Sequence, residues 1–315
     1  MLAYVVKKAL QLVVTTFGVV TLVFFTLRLI PGDAASAMAG DTLSGEALQR
    51  LREQMGLTKP LIVQYFDYLR ALAVFDFGET ITTGLSVAGL MRSAMPITLS
   101  IAFSTIVLTV AVAIPLGTLA AFMAHKGRRA LDNLITGAAM VLDLMPGFWT
   151  GLVFLLFFSL TLKLFPASGD VDIADPANFL KRIALPVLVL SVTQIATMAR
   201  ITRTSVLEVL GEDYIRTARS LGWSELRVLF RHALKNAALP IVTVVGLSFG
   251  SLLNGTVIVE FIFNIPGIGS LLVNGINSRD YQMVQNLIIF YALIFVTINF
   301  ATDLVYRKLD PRVTF

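Results

Sequence analysis

Few side chains in this sequence combine the type and the setting needed for chemistry. Cysteine is absent, and the only histidines are His125 and His232. Both fall in basic stretches between apolar runs, so no Ser-His pair or histidine metal cluster is expected inside a membrane. No G-x-x-x-x-G-K-[ST] string occurs, so the chain has no such loop to cradle ATP phosphates. What stands out are polar residues inside apolar runs: Asp143, Asn254 and Glu260. Asp143 reads as the one acid deep in a span. There an aspartate costs roughly 2.5–3.5 kcal/mol on insertion scales, so it must face protein or a wet cavity. Two readings stand: a carboxylate paired with backbone or a partner-chain group, or a pathway charge favouring solutes with a cationic or amino group. Glu260 is expected near the outer surface, where solvation is cheap, and Asn254 is a second polar position on the same span. This is the chemistry of passage. No catalytic residue, metal ligand or bound cofactor is assigned, and the chain reads as a non-enzyme.

The elements that carry these residues follow from hydropathy. Of 315 residues 56% are hydrophobic and 14% charged, with mean hydropathy +0.81, against about 25% charged in a soluble domain. Apolar runs near the ~20 residues needed to cross a bilayer occupy about 9–30, 97–124 (with Pro115 inside), 131–164, 183–201, 239–263 and 284–304. The third is interrupted by Asp143 and by Met145-Pro146-Gly147-Phe148-Trp149. The first run is too long for a cleaved signal peptide, and Pro31-Gly32-Asp33 is expected to stop it. Residues 33–95 are mixed and polar, with one helix capped by Ser44 (Leu48, Leu51, Met55) and an apolar-aromatic stretch (Ile62, Tyr65, Phe66, Leu69, Leu72). Neither is apolar enough to span. Residues 165–181 and 264–284 read as loops. In the fifth run Gly246-x-x-x-Gly250 and Ser251-x-x-x-Gly255 permit close helix approach, to another helix of this chain or to a partner.

The longest polar interruption of the second half is GEDYIRTARSLGWSELRVLFRHALKNAALP, 211–240. Tyr214, Ile215, Ala218 and Leu221 share one helical face, opposite Arg216, Arg219 and Ser220. Gly222 suits a helix C-cap and Ser224 the next N-cap. Leu226, Leu229, Phe230, Ala233, Leu234 and Ala237 then form an apolar stripe, and Pro240 opens the next span. A basic loop that only sets topology accounts for the charges but not for these ordered faces. Most of the 25 Lys and Arg fall in the termini, 126–129 and 200–235, which places those segments in the cytoplasm, and 33–95 and 264–284 outside. The net charge of +5 reads as topology, with no soluble basic domain to bind nucleic acid.

The string DYIRTARSLG, followed by RHALKN and LP, resembles the cytoplasmic coupling loop of bacterial ABC importer permeases of the dipeptide/oligopeptide family. Arg216-Thr217-Ala218 stands where the broader importer class has Glu-Ala-Ala. The resemblance runs end to end: Arg28 to Asp33 match R-L-x-P-G-D; Gly56, Leu57, Pro60, Gln64 and Tyr65 match G-L-x-x-P-x-x-x-Q-Y; Pro146, Phe148, Trp149 and Gly151 match P-x-F-W-x-G. Glu260, Phe263, Pro266, Gly267 and Gly269 match V-E-x-x-F-x-x-P-G-x-G, and Asp310-Pro311-Arg312 the usual ending. It implies an all-α, polytopic membrane protein with six transmembrane helices, cytoplasmic coupling helices and an extracytoplasmic helical insertion after the first span. The whole of 1–315 would form a single transmembrane permease domain, with 33–95 as the insertion and 205–238 as the coupling loop. The implied partners are a second homologous permease subunit, two cytoplasmic ATPase subunits that use ATP and Mg, an extracytoplasmic solute-binding protein and the lipid bilayer of the bacterial inner membrane. The implied function is peptide import, or import of a nickel chelate, glutathione or an opine by the same architecture. Tyr214, Arg216, Thr217, Ala218, Arg219, Leu221 and Gly222 would form the ATPase-coupling set, with Tyr214, Ala218 and Leu221 in the ATPase groove and Arg216 and Arg219 at its rim. Asp143, Asn254 and Glu260 would mark the translocation pathway. An ion-coupled secondary transporter would want several intramembrane acids in repeated halves, and a non-transport anchor would not need the ordered loop.

Overall fold

A computed structural model of the chain describes residues 2–29, 35–36, 45–54, 56–169 and 171–309. The expected features at Pro31–Asp33, Ser44, Met55 and 310–312 lie outside these. The described elements are helices: α1 (Leu2–Leu29), α2 (Gly45–Gln54), α3 (Leu61–Ala73), α4 (Val87–His125), α5 (Arg129–Asp143) and α6 (Gly147–Phe154, continued by a π-helical stretch Leu155–Thr161). Next come α7 (Pro176–Leu210), α8 (Asp213–Ser220), α9 (Glu225–Arg227, π-helical Val228–Ala233, Leu234–Asn236), α10 (Ala238–Ile262), α11 (Ile268–Asn277) and α12 (Tyr281–Leu309). Among the described residues there is no strand, only an isolated bridge between Glu79 and Ser86.

Among the described residues five helices, α1, α4, α7, α10 and α12, are long and apolar enough to cross a membrane, and α5 with α6, bent by 99°, are a sixth candidate when taken as one broken span. The bend sits where the sequence interrupts the run. Proline disfavours the helical conformation at Met145, and Pro146 itself is extended, with ψ 134°. The 39 residues of α4 and 35 of α7 correspond to about 58 and 52 Å of helix at 1.5 Å per residue. Both exceed the ~30 Å hydrocarbon core, so hydropathy located the spans but not the helix ends. Helix α7 starts at Pro176, within the expected loop. Asp175 caps it, its Oδ1 accepting from the amides of Ala177 and Asn178 at 3.0 and 3.2 Å. The expected loop at 264–284 likewise contains α11 and the start of α12. Asp280, fully buried, caps α12 by accepting from the Met283 amide at 3.0 Å, and its other oxygen accepts from the Ile81 amide at 2.7 Å.

The chain divides into two compact units. One comprises Met1–Thr98 and Pro266–Thr297. Here Val20 and Phe24 of α1 pack with Tyr65 and Tyr68 of α3 and Ile289 of α12. The Phe24 ring meets Tyr65 edge-on at 5.2 Å and stacks on Tyr68 at 5.8 Å. Burial pushes the Tyr68 phenol up to about 12, so it stays protonated and donates to Asn286 Oδ1 at 3.1 Å. A second cluster joins Val87, Met91 and Ala94 to Ile268, Met283 and Leu287.

The other unit comprises Leu99–Ile265 and Ile298–Phe315. Its central element is α7, which packs against α5, α6 and α10. Met198 and Ala199 of α7 meet Ala113 of α4. Toward its end, Val206 and Leu210 join Ala121, Ile215, Ala218, Val228, Leu229, Ala233, Ala237 and Ile241 in one buried cluster. Two of the small residues of α10 serve packing inside the chain: a Cβ on Gly246 would stand 2.7 Å from the Thr302 hydroxyl, and one on Gly255 2.9 Å from Leu190.

Candidate coupling element and polar residues of the spans

After α7 the chain turns at Gly211, forms α8 and turns again at Gly222. The second turn closes as a Schellman motif: the Gly222 amide donates to Arg219 O at 2.9 Å and the Trp223 amide to Ala218 O at 3.4 Å. Gly222 has φ +81°, a conformation that glycine adopts without the steric cost of a Cβ. Asp213 in the first turn and Arg219 in the last match the helix dipole.

Helix α8 is seated through Ile215 and Ala218, both buried in the cluster that holds the ends of α7 and α10. This corrects one expectation. Ala218 does not face outward with Tyr214 and Leu221, because helical spacing puts it on the same inward side as Ile215. Tyr214 and Leu221 are 43% and 68% exposed, on the flanks. The Tyr214 hydroxyl accepts from Asn236 Nδ2 at 2.8 Å, which fixes α8 to the end of α9. Arg216 is exposed and pairs loosely with Asp213 at 3.4 Å, while the Thr217 hydroxyl donates to Asp213 O. Arg219 is not at an open rim. Its side chain is 24% exposed and lies 3.3 Å from Glu225, so it braces the turn between α8 and α9.

The apolar stripe of α9 also differs from its α-helical expectation. Leu229, Ala233 and Ala237 are buried as expected, but Val228 joins them while Leu226 and Phe230 are 64% and 57% exposed. The π-helical stretch explains this: i→i+5 bonding brings Val228 and Ala233 onto one side and turns Leu226 and Phe230 out. Leu221, Leu226 and Phe230, with Tyr214 and Trp223, therefore give this segment exposed apolar residues over a well-packed base. Trp223 packs against the His232 ring at 4.4 Å.

Asp143, at the end of α5, is held by α7. Thr197 donates to its Oδ1 at 2.7 Å and Arg200 to its Oδ2 at 2.9 Å. Asp143 is thus paired, but by side chains of its own chain and not by backbone or a partner-chain group as expected. A second acid–arginine pair was missed. Arg203 binds Asp132 with both Nε and Nη2, the latter at 2.6 Å from Oδ2. Asp132 is 5% exposed. Asp143 was singled out as the lone deep acid, yet Asp132 falls inside the same apolar run, and Arg203 lies one turn beyond Arg200. That spacing was the available signal; counting both arginines as topology charges concealed it.

Glu260 departs from its expected setting. It is fully buried in the last turn of α10, where the Ile265 amide caps the helix by donating to Glu260 O at 2.9 Å. Asn254 lies on the exposed face of α10 with Leu247, Ile258 and Phe261. On that face Ser251 accepts from Gln194 of α7 at 3.1 Å. Asp143, Asn254 and Glu260 thus occupy different surfaces, and Asn254 alone of the three is exposed. Among the described residues no group of three or more His, Asp or Glu is placed to hold a metal ion.

The di/tripeptide transport system permease DppB of Pseudomonas aeruginosa is 37% identical over 99% of both chains. The oligopeptide transport system permease AppB of Bacillus subtilis is 34% identical, and the glutathione transport system permease GsiC of Escherichia coli 35%, each over 100% of both chains. Among solved structures, the MetNI methionine ABC transporter in an inward-facing conformation has a chain similar in fold, with a TM-score of 0.56 at 14% identity, covering 70% of this chain and 97% of that one. The family model described as binding-protein-dependent transport system inner membrane component matches residues 113–315, and its N-terminal companion matches 1–102. With both models matched, six candidate spans and a seated polar element between α7 and α10, the chain belongs to the family of binding-protein-dependent transport system inner membrane components.

Proposed function

We propose that this chain is the permease subunit of an ATP-driven importer of di- or oligopeptides, which turns the motion of a partner ATPase into alternating access across the bacterial inner membrane. The observation that carries the reading is α8. Its inward residues Ile215 and Ala218 belong to the same core as the ends of α7 and α10, while Tyr214, Leu221, Leu226 and Phe230 are exposed beside it. Two ATPase subunits closing on ATP and Mg would each grip the α8–α9 segment of one permease. This chain and a second homologous permease would form the membrane pair, with both termini in the cytoplasm. A push on α8 reaches α7 and α10 directly, because close-packed cores transmit displacement rather than absorb it. An extracytoplasmic binding protein would deliver solute to the outer side.

Peptide as the solute is supported by the names of full-length relatives at 34–37% identity. Glutathione, named for one relative, is the second reading. The test is uptake of a labelled dipeptide by cells with and without the gene, with oligopeptides, glutathione, nickel and opines as competitors. Loss of uptake on deletion, competed by peptides alone, is expected. Unchanged dipeptide uptake, or competition by glutathione alone, would overturn the peptide reading.

A further inference from the structure

Helix α3 lies in the stretch 33–95, too polar to span, yet it leaves apolar side chains uncovered. Its three flanks differ. Tyr65 and Tyr68 are buried in the cluster with Val20 and Phe24 of α1. To one side of that contact, Gln64, Asp67 and Ala71 line a cleft of about 550 Å³ that also holds Arg28, Lys59 and Glu79, a charged lining suited to water. To the other side Ile62, Phe66 and Ala73, spaced i, i+4 and i+11 on one helical face, are exposed, Ile62 and Phe66 by more than half. The helix is thus amphipathic across its two free flanks.

Where α3 sits decides what covers the apolar flank. Its partners on α1 run from Thr21, whose hydroxyl shares a 2.6 Å hydrogen bond with the Tyr65 hydroxyl, to Arg28, which donates to Gln64 Oε1 at 3.2 Å. The apolar span of α1 is Ala9–Leu29. Thr21 therefore lies about 12 Å inside its end, at 1.5 Å per residue, and α3 packs alongside the last turns of a membrane span. The apolar surface is also continuous. Leu22, Phe25 and Leu29 are exposed on one side of α1. The Phe25 ring stacks on Tyr65 at 5.5 Å, and Tyr65 meets Phe66 edge-on at 5.6 Å, so three rings carry the lipid-facing side of α1 onto α3.

We infer that α3 is an interfacial helix, with Ile62, Phe66 and Ala73 seated among the headgroups and upper acyl chains of the leaflet that α1 reaches last, and Gln64 and Asp67 kept in water. An amphipathic helix in the membrane plane buries its apolar face by about 5–10 Å, which fits the depth at which Tyr65 meets α1. On the proposed topology this is the outer leaflet, and the insertion after the first span is held down on the membrane. The inference rests on the spans and not on the solute, so it stands or falls apart from the peptide reading.

The sequence has no cysteine, so Leu22→Cys, Ile62→Cys, Phe66→Cys and Asp67→Cys each give the chain a single site for a nitroxide label. Each variant is purified with the subunits that accompany it, their own cysteines changed to serine, and held in nanodiscs of phosphatidylethanolamine and phosphatidylglycerol. Power saturation of the spin label compares collisions with oxygen, which enriches in lipid, and with a water-soluble nickel chelate. Leu22→Cys is the lipid reference and Asp67→Cys the water reference. Asp67 and its partner Lys59 are both more than half exposed, so losing that pair costs little. Ile62→Cys and Phe66→Cys should collide with oxygen as often as Leu22→Cys and lose the nickel collisions seen with Asp67→Cys. Because a label at 66 replaces the ring beside Tyr65, Ile62→Cys supplies the reading that leaves the aromatic contacts intact. Nickel collisions at 62 and 66 equal to those at 67 would place the flank in water and overturn the inference. Few collisions with either reagent would overturn it as well, because another protein surface would then cover the flank.

Discussion

Arg203→Met tests how the bent span is tied to α7. Asp132 is 5% exposed and receives two bonds from one guanidinium, with Thr136 adding a third contact at 3.4 Å. Removing the arginine leaves a carboxylate with one weak donor. Breaking a buried pair from one side costs about 3–5 kcal/mol. Because the Arg203 side chain is 24% exposed, and water can partly replace it, we expect the lower end, about 3 kcal/mol. Asp132→Asn in the same chain removes the stranded charge and keeps an acceptor for Thr136, so the double variant should recover most of that loss. The assay is thermal unfolding of the purified protein in one detergent, for both single variants and the double, with dipeptide uptake measured in parallel. The expected order of stability is parent, then double variant, then Arg203→Met, with a coupling of about 2 kcal/mol. Losses that add within about 0.5 kcal/mol would refute the reasoning, since the pair would then be worth no more than two unrelated surface charges.

Gly117→Ala should destabilise the protein by about 1–3 kcal/mol. Its Cβ would stand 2.7 Å from Thr202 Cβ and 3.1 Å from the Arg203 amide nitrogen, and backbone cannot rotate aside; an unchanged Tm would contradict the close approach of α4 and α7. Gly222→Asp should leave protein in the membrane but uncouple ATP hydrolysis from uptake. Nothing lies within 4 Å of a Cβ there, and aspartate tolerates the left-handed backbone better than most residues; normal uptake would sink the docking role of this turn. Asp143→Asn should lower stability by about 1 kcal/mol, as the pair with Arg200 is partly exposed, without changing which peptides are taken up. A shifted peptide preference in competition assays would restore Asp143 as a pathway charge.

Local pattern was enough to place the spans and the short helices between α7 and α10, because hydropathy and helical spacing report burial directly. Gly222 was legible for the same reason: a positive φ after an amphipathic turn is a local demand. The helix ends were not. Helices α4 and α7 continue past their apolar runs into polar sequence, so hydropathy stops short of their ends even where Asp175, Pro176 and Gly211 mark those of α7, and α11 is short enough to pass for a glycine- and asparagine-rich loop. Ala218 was misplaced because an eight-residue helix presents several apolar residues, and only the core beneath it chooses among them. Leu226 and Phe230 were misplaced because a π-helical stretch alters the period on which the pattern is read.

Sequence alone therefore determined that the chain spans a membrane several times, carries an ordered polar element between its fourth and fifth spans, and has neither cysteine nor a phosphate loop. Each of these depends on composition or on neighbours within a few turns. Tertiary structure decided the pairings. Arg203 reaches Asp132 and Arg200 reaches Asp143 because α5 and α7 lie side by side, Glu260 is sealed from water, and Arg28 shares a cleft with Gln285 across 257 residues of chain. Contacts at that separation leave no local pattern, since they arise only when close packing brings distant helices within the reach of a side chain.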